Sequence, residues 1–161
     1  MVEKLYNLLN EEELDYLNSV INNKDAWKYR TEYNTPKQYF DSIIVDKNNL
    51  KNYFNIITNN GEFNIIETGL NVITFETQLE NSTHFDVSDI SYATYLNEDF
   101  QGGEFVYYDE NSIATIVKPI QGLTIKIENK TVHKVNKINK GIRFSLYTFL
   151  QKKQKNVKTL L

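Results

Sequence analysis

From residue 63 to residue 150 the chain is cut into short runs rich in Ile, Val, Thr, Tyr and Phe, each closed by Gly, Asn, Asp or Pro. That texture restricts this stretch to strands and turns. The runs fall at 63–67, 71–77, 90–96, 104–108, 113–118, 123–128 and 142–150, a spacing that suits a sandwich, a barrel or a jelly roll. Two helices are predicted ahead of them. Asn10 followed by Glu11, Glu12 and Glu13 is a helix start with acids in the first turn, and Leu14, Leu17 and Ile21 supply an apolar stripe, which places one helix near 10–23. A second, 47–59, carries Leu50, Tyr53, Phe54 and Ile57 and stops at Asn60-Gly61. The expected fold is mainly β (α+β), with the N-terminal helices packed on one sheet. No internal repeat or linker interrupts it, and the tail from Gln151 to Lys158, with its lysines and amides, is expected to be solvated.

The 161 residues, 40% hydrophobic and 13% aromatic, suffice for one domain with a real core. We read 1–161 as a single domain: a helical support region over 1–62, a jelly-roll core over 63–150 and a basic tail over 151–161. A net charge of −3 argues against nucleic acid, whose binding domains carry a basic face or a pI above about 9. With no cysteine, disulfides, thiol nucleophiles and cysteine metal sites are excluded, so any chemistry must use oxygen and nitrogen ligands. The start of the chain has no run of signal-peptide type, and no segment approaches the roughly 20 apolar residues of a membrane span. A soluble, cytoplasmic protein without membrane association is expected. The sequons at Asn81 and Asn129 are then chance products of an asparagine-rich sequence.

Only two histidines are present, and one lies in Thr83-His84-Phe85-Asp86. In a strand, residues i and i+2 share a face, so His84 and Asp86 would stand side by side while Phe85 turns into the core. The second histidine, His133, also lies in a strand-like stretch and could return beside them. Two imidazoles and a carboxylate on one face of an octahedral ion, with the other positions open, form the arrangement of non-haem Fe(II) oxygenases. A His-X-Asp alone is as well explained by a surface pair or a hydrogen-bonded turn. Arginine adds to the case. Lysine supplies nearly all the positive charge, and only Arg30 and Arg143 depart from it. Arg143 sits in the apolar stretch Gly141-Ile142-Arg143-Phe144-Ser145-Leu146, an expensive place for a cation without a partner. A guanidinium can hold a carboxylate through two parallel hydrogen bonds, which a lysine cannot. An arginine at a strand edge, snorkelling to water, is the structural alternative.

Over about residues 72–150 the sequence resembles the Fe(II)- and 2-oxoglutarate-dependent dioxygenases, in particular their prolyl 4-hydroxylase-like branch. His84-Phe85-Asp86 is similar to the family's HxD, Tyr95-Leu96-Asn97 with Gly102-Gly103-Glu104 to its "YLN … GGE", Pro119-Ile120-Gln121-Gly122 to its "PxxG" turn, and His133-Lys134-Val135 with Gly141-Ile142-Arg143 to "HxV … GxR". The pieces occur in the family's order and use both histidines. The resemblance implies a double-stranded β-helix, Fe(II) held by His84, Asp86 and His133, and 2-oxoglutarate whose distal carboxylate is held by Arg143 and Tyr95. It also implies O2 as oxidant, ascorbate as a reductant, and oxidative decarboxylation to succinate coupled to hydroxylation. Asp86 favours hydroxylation, since related halogenases generally replace that carboxylate. Departures concern the target. Phe75 stands where a tyrosine often lies by the cosubstrate, and Asn81 and Ser88 replace residues that accompany prolyl pockets. Phe149 takes a position that often carries a bulky pocket residue. The substrate implied is proline in a peptide or protein, with a free amino acid or small molecule as the alternative, and a non-catalytic cupin-like metal- or ligand-binding domain as the alternative of another class. Gly102-Gly103 is read as a turn into the next strand, and one of Tyr107 and Tyr108 should face the barrel mouth.

Overall fold

The computed structural model describes residues 1–28, 41–76, 83–128 and 130–154. Arg30, Asn81 and the tail beyond Gln154 lie outside the described residues. In chain order the elements are β1 (Val2–Tyr6), α1 (Glu11–Asn22), β2 (Asp41–Ile43), α2 (Lys51–Ile57), β3 (Phe63–Ile73), β4 (Ile90–Tyr95), β5 (Gln101–Gly102), β6 (Phe105–Tyr108), β7 (Ala114–Val117), β8 (Leu123–Glu128), β9 (His133–Val135), β10 (Ile138–Lys140) and β11 (Arg143–Lys152). All strand pairs are antiparallel. They form a six-stranded sheet ordered β1-β8-β4-β11-β3-β2, a three-stranded sheet ordered β7-β6-β9, and the small pair β10-β5.

Alternation along the central strands sorts the side chains into two cores. One face of the large sheet, with Leu70, Val72, Tyr92, Leu146 and Leu150, packs against Leu17 of α1 and Tyr53 and Phe54 of α2. The other face, with Tyr95, Leu123, Ile125 and Ile127, meets Phe105 and Val117 of the three-stranded sheet. The candidate site residue Tyr95 belongs to this second layer. The helices therefore support the sheet from behind, as the sequence suggests.

Helix α1 starts with a closed capping box: the Glu13 amide donates to the Asn10 side chain at 2.9 Å, and the Asn10 amide donates to the Glu13 carboxylate at 3.1 Å. The other Glu13 oxygen accepts the Tyr53 amide at 2.8 Å, joining α1 to α2. The second helix is shorter than predicted. The Asp46 side chain caps a 3-10 turn over Lys47–Leu50 by accepting from the Asn48 amide, and regular α-helix begins only at Lys51.

Other departures have long-range causes. The runs at 63–67 and 71–77 join into the single strand β3, which ends at Ile73. Gly69 does not break it. A Cβ there would lie 2.9 Å from the Tyr147 hydroxyl of β11, so glycine makes room for a neighbour's side chain. Residues 1–62 are not wholly helical, because β1 pairs with β8 and β2 with β3 to form the edges of the large sheet. Phe85 does not enter the core; it is 50% exposed, with the Lys130 ammonium 5.9 Å from its ring centroid. Among the described residues no helix is long and apolar enough to cross a membrane.

Glu13, only 3% exposed, joins two helices through charge-assisted hydrogen bonds. Glu13→Ala is expected to cost roughly 2–4 kcal/mol of stability. Denaturant unfolding checks this; a loss near zero would mean that α1 and α2 are held by apolar packing alone.

Candidate active site

The two histidines face each other across a backbone bridge. The His84 amide donates to the His133 carbonyl at 2.9 Å, and the His133 amide donates to the His84 carbonyl at 2.8 Å. A reciprocally bonded antiparallel pair projects its side chains from one face, and the ring centroids stand 4.6 Å apart. His84 lies outside any named strand, and among the described residues its backbone pairs with His133 at the start of β9. Asp86 lies on the same side. One carboxylate oxygen is 3.8 Å from His84 Nε2 and the other is 3.8 Å from His133 Nε2. One donor atom from each of the three residues lies within 4.8 Å of the others. Bonds of about 2.1 Å to a common ion would need modest closure of the three side chains.

Burial rises across the set, with side-chain exposure of 52% for His84, 16% for Asp86 and 6% for His133. His133 Nδ1 lies 2.8 Å from the Thr131 carbonyl. A carbonyl can only accept, so Nδ1 carries the proton and the Nε2 lone pair is left for the Asp86 side. Such an outer hydrogen bond fixes tautomer and ring orientation in metal-ligating histidines. The Thr131 hydroxyl in turn donates to the Glu128 carbonyl at 2.6 Å. Burial lowers the His133 pKa below the usual imidazole value; the Thr131 carbonyl and Asp86 oppose that shift, and His84 adds to it.

Phe105 links this set to Arg143 and Tyr95. Its ring centroid is 5.2 Å from that of His133, and it shares the inner core with Tyr95. The Arg143 guanidinium lies 4.9 Å from the Tyr95 ring centroid. Arg143 is 3% exposed, and its Nε and Nη1 have no hydrogen-bond partner among the described residues; the Tyr95 hydroxyl is buried in the same condition. Burial lowers the guanidinium pKa, yet an arginine side chain remains charged. A buried charge of this kind calls for an anion, so the residues present fit a carboxylate. Burial raises the Tyr95 pKa, with Arg143 opposing the shift, so the hydroxyl keeps its proton and can donate.

Two further residues meet Arg143 or its strand. The Asn97 side chain donates to the Ile142 carbonyl at 2.8 Å and accepts the Phe144 amide at 2.8 Å, gripping the strand on either side of Arg143. Gly103 has φ +70, and a Cβ on it would lie 2.5 Å from Ile138 Cδ1 and 3.5 Å from Arg143 Cδ. Gly102 ends β5 rather than forming the expected turn, and Gly103 follows it with a left-handed backbone where a side chain would clash with Ile138 and Phe100 and merely touch Arg143. Asn97 and Gly103 stand in the "YLN … GGE" segment; nothing in that segment alone indicates which backbone they meet.

Tyr107 is paired with His133 and therefore shares its face, leaving Tyr108 on the other. Phe75 follows the end of β3, is 55% exposed, and has the Lys137 ammonium 4.5 Å from its ring centroid. Phe149 lies on the inner face of β11, its ring centroid 5.5 Å from that of Tyr147. Six residues of strand, about 20 Å, separate it from Arg143. Ser88 is bonded to Ser91 at 2.7 Å.

Since the folded protein holds the His133 proton less tightly than the unfolded chain, the unfolded state takes up that proton first as pH falls below about 6.5. The stability contribution is present above that pH and is lost below it. Thermal melts of the metal-free protein should therefore show a steeper decline between about pH 7 and pH 5 than melts of His133→Gln. Equal slopes would contradict the placement of a neutral imidazole in the core.

No family model matches the chain, and no curated protein is similar to it in sequence. Solved structures are similar in fold. The viral collagen prolyl hydroxylase of Paramecium Bursaria Chlorella virus-1, in its 2OG complex, superimposes with a TM-score of 0.65 at 14% identity over 95% of this chain and 96% of that one. A Trichoplax adhaerens prolyl hydroxylase in complex with a hypoxia inducible factor oxygen degradation domain peptide gives 0.69 at 12% identity, over 94% and 83%. The non-heme alpha ketoglutarate dependent epimerase SnoN of nogalamycin biosynthesis gives 0.69 at 10% identity, over 94% and 78%. At such identities the likeness establishes architecture, and this chain has the double-stranded β-helix fold of the 2-oxoglutarate/Fe(II) oxygenases.

Proposed function

We propose that the chain is a single-domain Fe(II)- and 2-oxoglutarate-dependent oxygenase that hydroxylates proline in a peptide or protein. The observation that carries this reading is the pairing, in one barrel, of a His-Asp-His donor set with a buried guanidinium that no acidic side chain among the described residues neutralises. His84, Asp86 and His133 would hold the metal, and Arg143 and Tyr95 the distal carboxylate of 2-oxoglutarate. Iron and 2-oxoglutarate, when bound, supply the activation of O2; ascorbate would serve as reductant.

The protein's own part is geometry and dryness. Thr131 holds His133 with Nε2 unprotonated, Asn97 fixes the strand that presents Arg143, and Phe105 with its apolar neighbours keeps water from the inner layer. A groove of about 650 Å3 is lined by Met1, Val2, Tyr107, Tyr108, Lys130 and Thr131 among others, and so includes the residue that orients His133. The tyrosine rings there suit a peptide bearing a proline ring. Two of the three structures named above are prolyl hydroxylases, which supports the same substrate class. Phe75 and Phe149, which do not line this groove, remain candidate pocket residues.

The test is incubation with Fe(II), ascorbate and 2-oxoglutarate against proline-rich peptides and free proline, following succinate and the gain of one oxygen by mass spectrometry. Hydroxylated peptide, lost on alanine substitution of His84, Asp86 or His133, is expected. Arg143→Leu should weaken apparent 2-oxoglutarate affinity roughly 100-fold or more, Arg143→Lys less, and Tyr95→Phe least. Succinate without any modified proline compound would reject the prolyl substrate. Metal binding with no decarboxylation would reject catalysis and favour a cupin-like binding domain.

A further inference from the structure

One rung of the large sheet is polar across four strands. Ser42 on β2 opposes Asn71 on β3, Asn71 opposes Ser145 on β11, and Ser145 opposes Tyr95 on β4. Opposed residues share a face. Tyr95 belongs to the apolar cluster between the sheets, so this face is the inner one. Ser42 is bonded to the Tyr147 hydroxyl at 2.8 Å. Asn71 Oδ1, Ser145 Oγ and Tyr95 Oη are buried without a partner, and so are Nε and Nη1 of Arg143, the adjacent inward residue of β11. Six buried side-chain polar atoms lack a partner among the described residues, and five of them belong to this patch. Each would cost about 1–3 kcal/mol if nothing answered it, so their concentration marks a surface shaped for a polar ligand.

We propose that Asn71 is a ligand-binding residue of the Arg143 pocket, donating through its side-chain amide to the distal carboxylate of the acid that the guanidinium holds. The inference rests on the reading of that pocket as the 2-oxoglutarate site. On β3 the direct neighbour of Arg143 is Ile73, which offers no hydrogen bond, so Asn71, diagonal to the arginine, is the polar group that can reach. A carboxylate presents about four acceptor sites. Arg143 Nε–H and Nη1–H, the Tyr95 O–H and the Asn71 amide N–H make four donors. Asn71 Oδ1 and Ser145 Oγ do not bond each other in this structure; with the acid bound, the opposed Ser145 hydroxyl would turn onto the Asn71 carbonyl and leave the amide nitrogen for the ligand. This pairing satisfies all five atoms at once, with Ser145 positioning Asn71.

The experiment is calorimetric titration of the Mn(II)-loaded protein with 2-oxoglutarate and, separately, with oxalate, which chelates a metal but has no chain to carry a carboxylate on to Arg143. Asn71→Asp is nearly isosteric and sets a negative charge against the ligand; Asn71→Ala removes the donor. The 2-oxoglutarate Kd is expected to rise about 100-fold in Asn71→Asp and about 10-fold in Asn71→Ala, with oxalate binding changed less than about twofold. The alanine variant keeps the test open if the aspartate does not fold. Unchanged 2-oxoglutarate binding in a folded variant, or equal losses for both ligands, would overturn the proposal. A wild-type protein that binds oxalate but not 2-oxoglutarate would instead reject the reading of the pocket, and this inference with it.

Discussion

A guanidinium buried to 3% exposure without an acidic partner among the described residues is costly to keep charged, and much of the surrounding structure serves to hold it. Strand β11 lies inside the six-stranded sheet, third from the β2 edge and fourth from the β1 edge, between β4 and β3, so its first residue cannot swing out to water as an edge arginine would. Asn97 grips the backbone on both sides of it, and the Tyr95 ring faces its charge. Removing an unneeded charge from a core is usually neutral or stabilising. Retaining one, with donors left over, is understandable where an anionic ligand completes the pairing.

The metal-ligand candidates are organised on the opposite principle. Only one backbone bridge joins His84 to His133, and the donor set runs from half-exposed to buried. Its inner member is rigid, fixed by the Thr131 carbonyl and flanked by the Phe105 ring. Of its outer members, His84 is open to solvent and Asp86 is partly covered. That gradient suits an ion that must enter from water and still present a substrate side, while the dry inner layer strengthens the electrostatics of whatever is bound.

What could be read from the sequence was what short-range chemistry encodes. The capping box at Asn10 and Glu13, the strand runs after residue 90, and the grouping of His84, Asp86 and His133 depend on local spacing or on the few residue types able to do the work. Long-range facts were not legible. The joining of two runs through Gly69 is decided by Tyr147 on another strand. The exposure of Phe85 follows from His84 belonging to a bridge one residue long rather than to a strand with a covered back. Strands β1 and β2 are edge strands whose partners lie far along the chain. Asn71 escaped notice because its significance depends on the register of four strands, which no single segment contains.

The most direct measurement is an anaerobic crystal structure with Mn(II) and 2-oxoglutarate. One ion should lie about 2.0–2.3 Å from His84 Nε2, His133 Nε2 and an Asp86 oxygen, with the distal carboxylate of the acid against Arg143 and the Tyr95 hydroxyl. An ion bound elsewhere, either histidine more than about 5 Å from it, or a carboxylate that leaves Arg143 without a partner would contradict the assignment of this barrel as a 2-oxoglutarate-dependent metal centre.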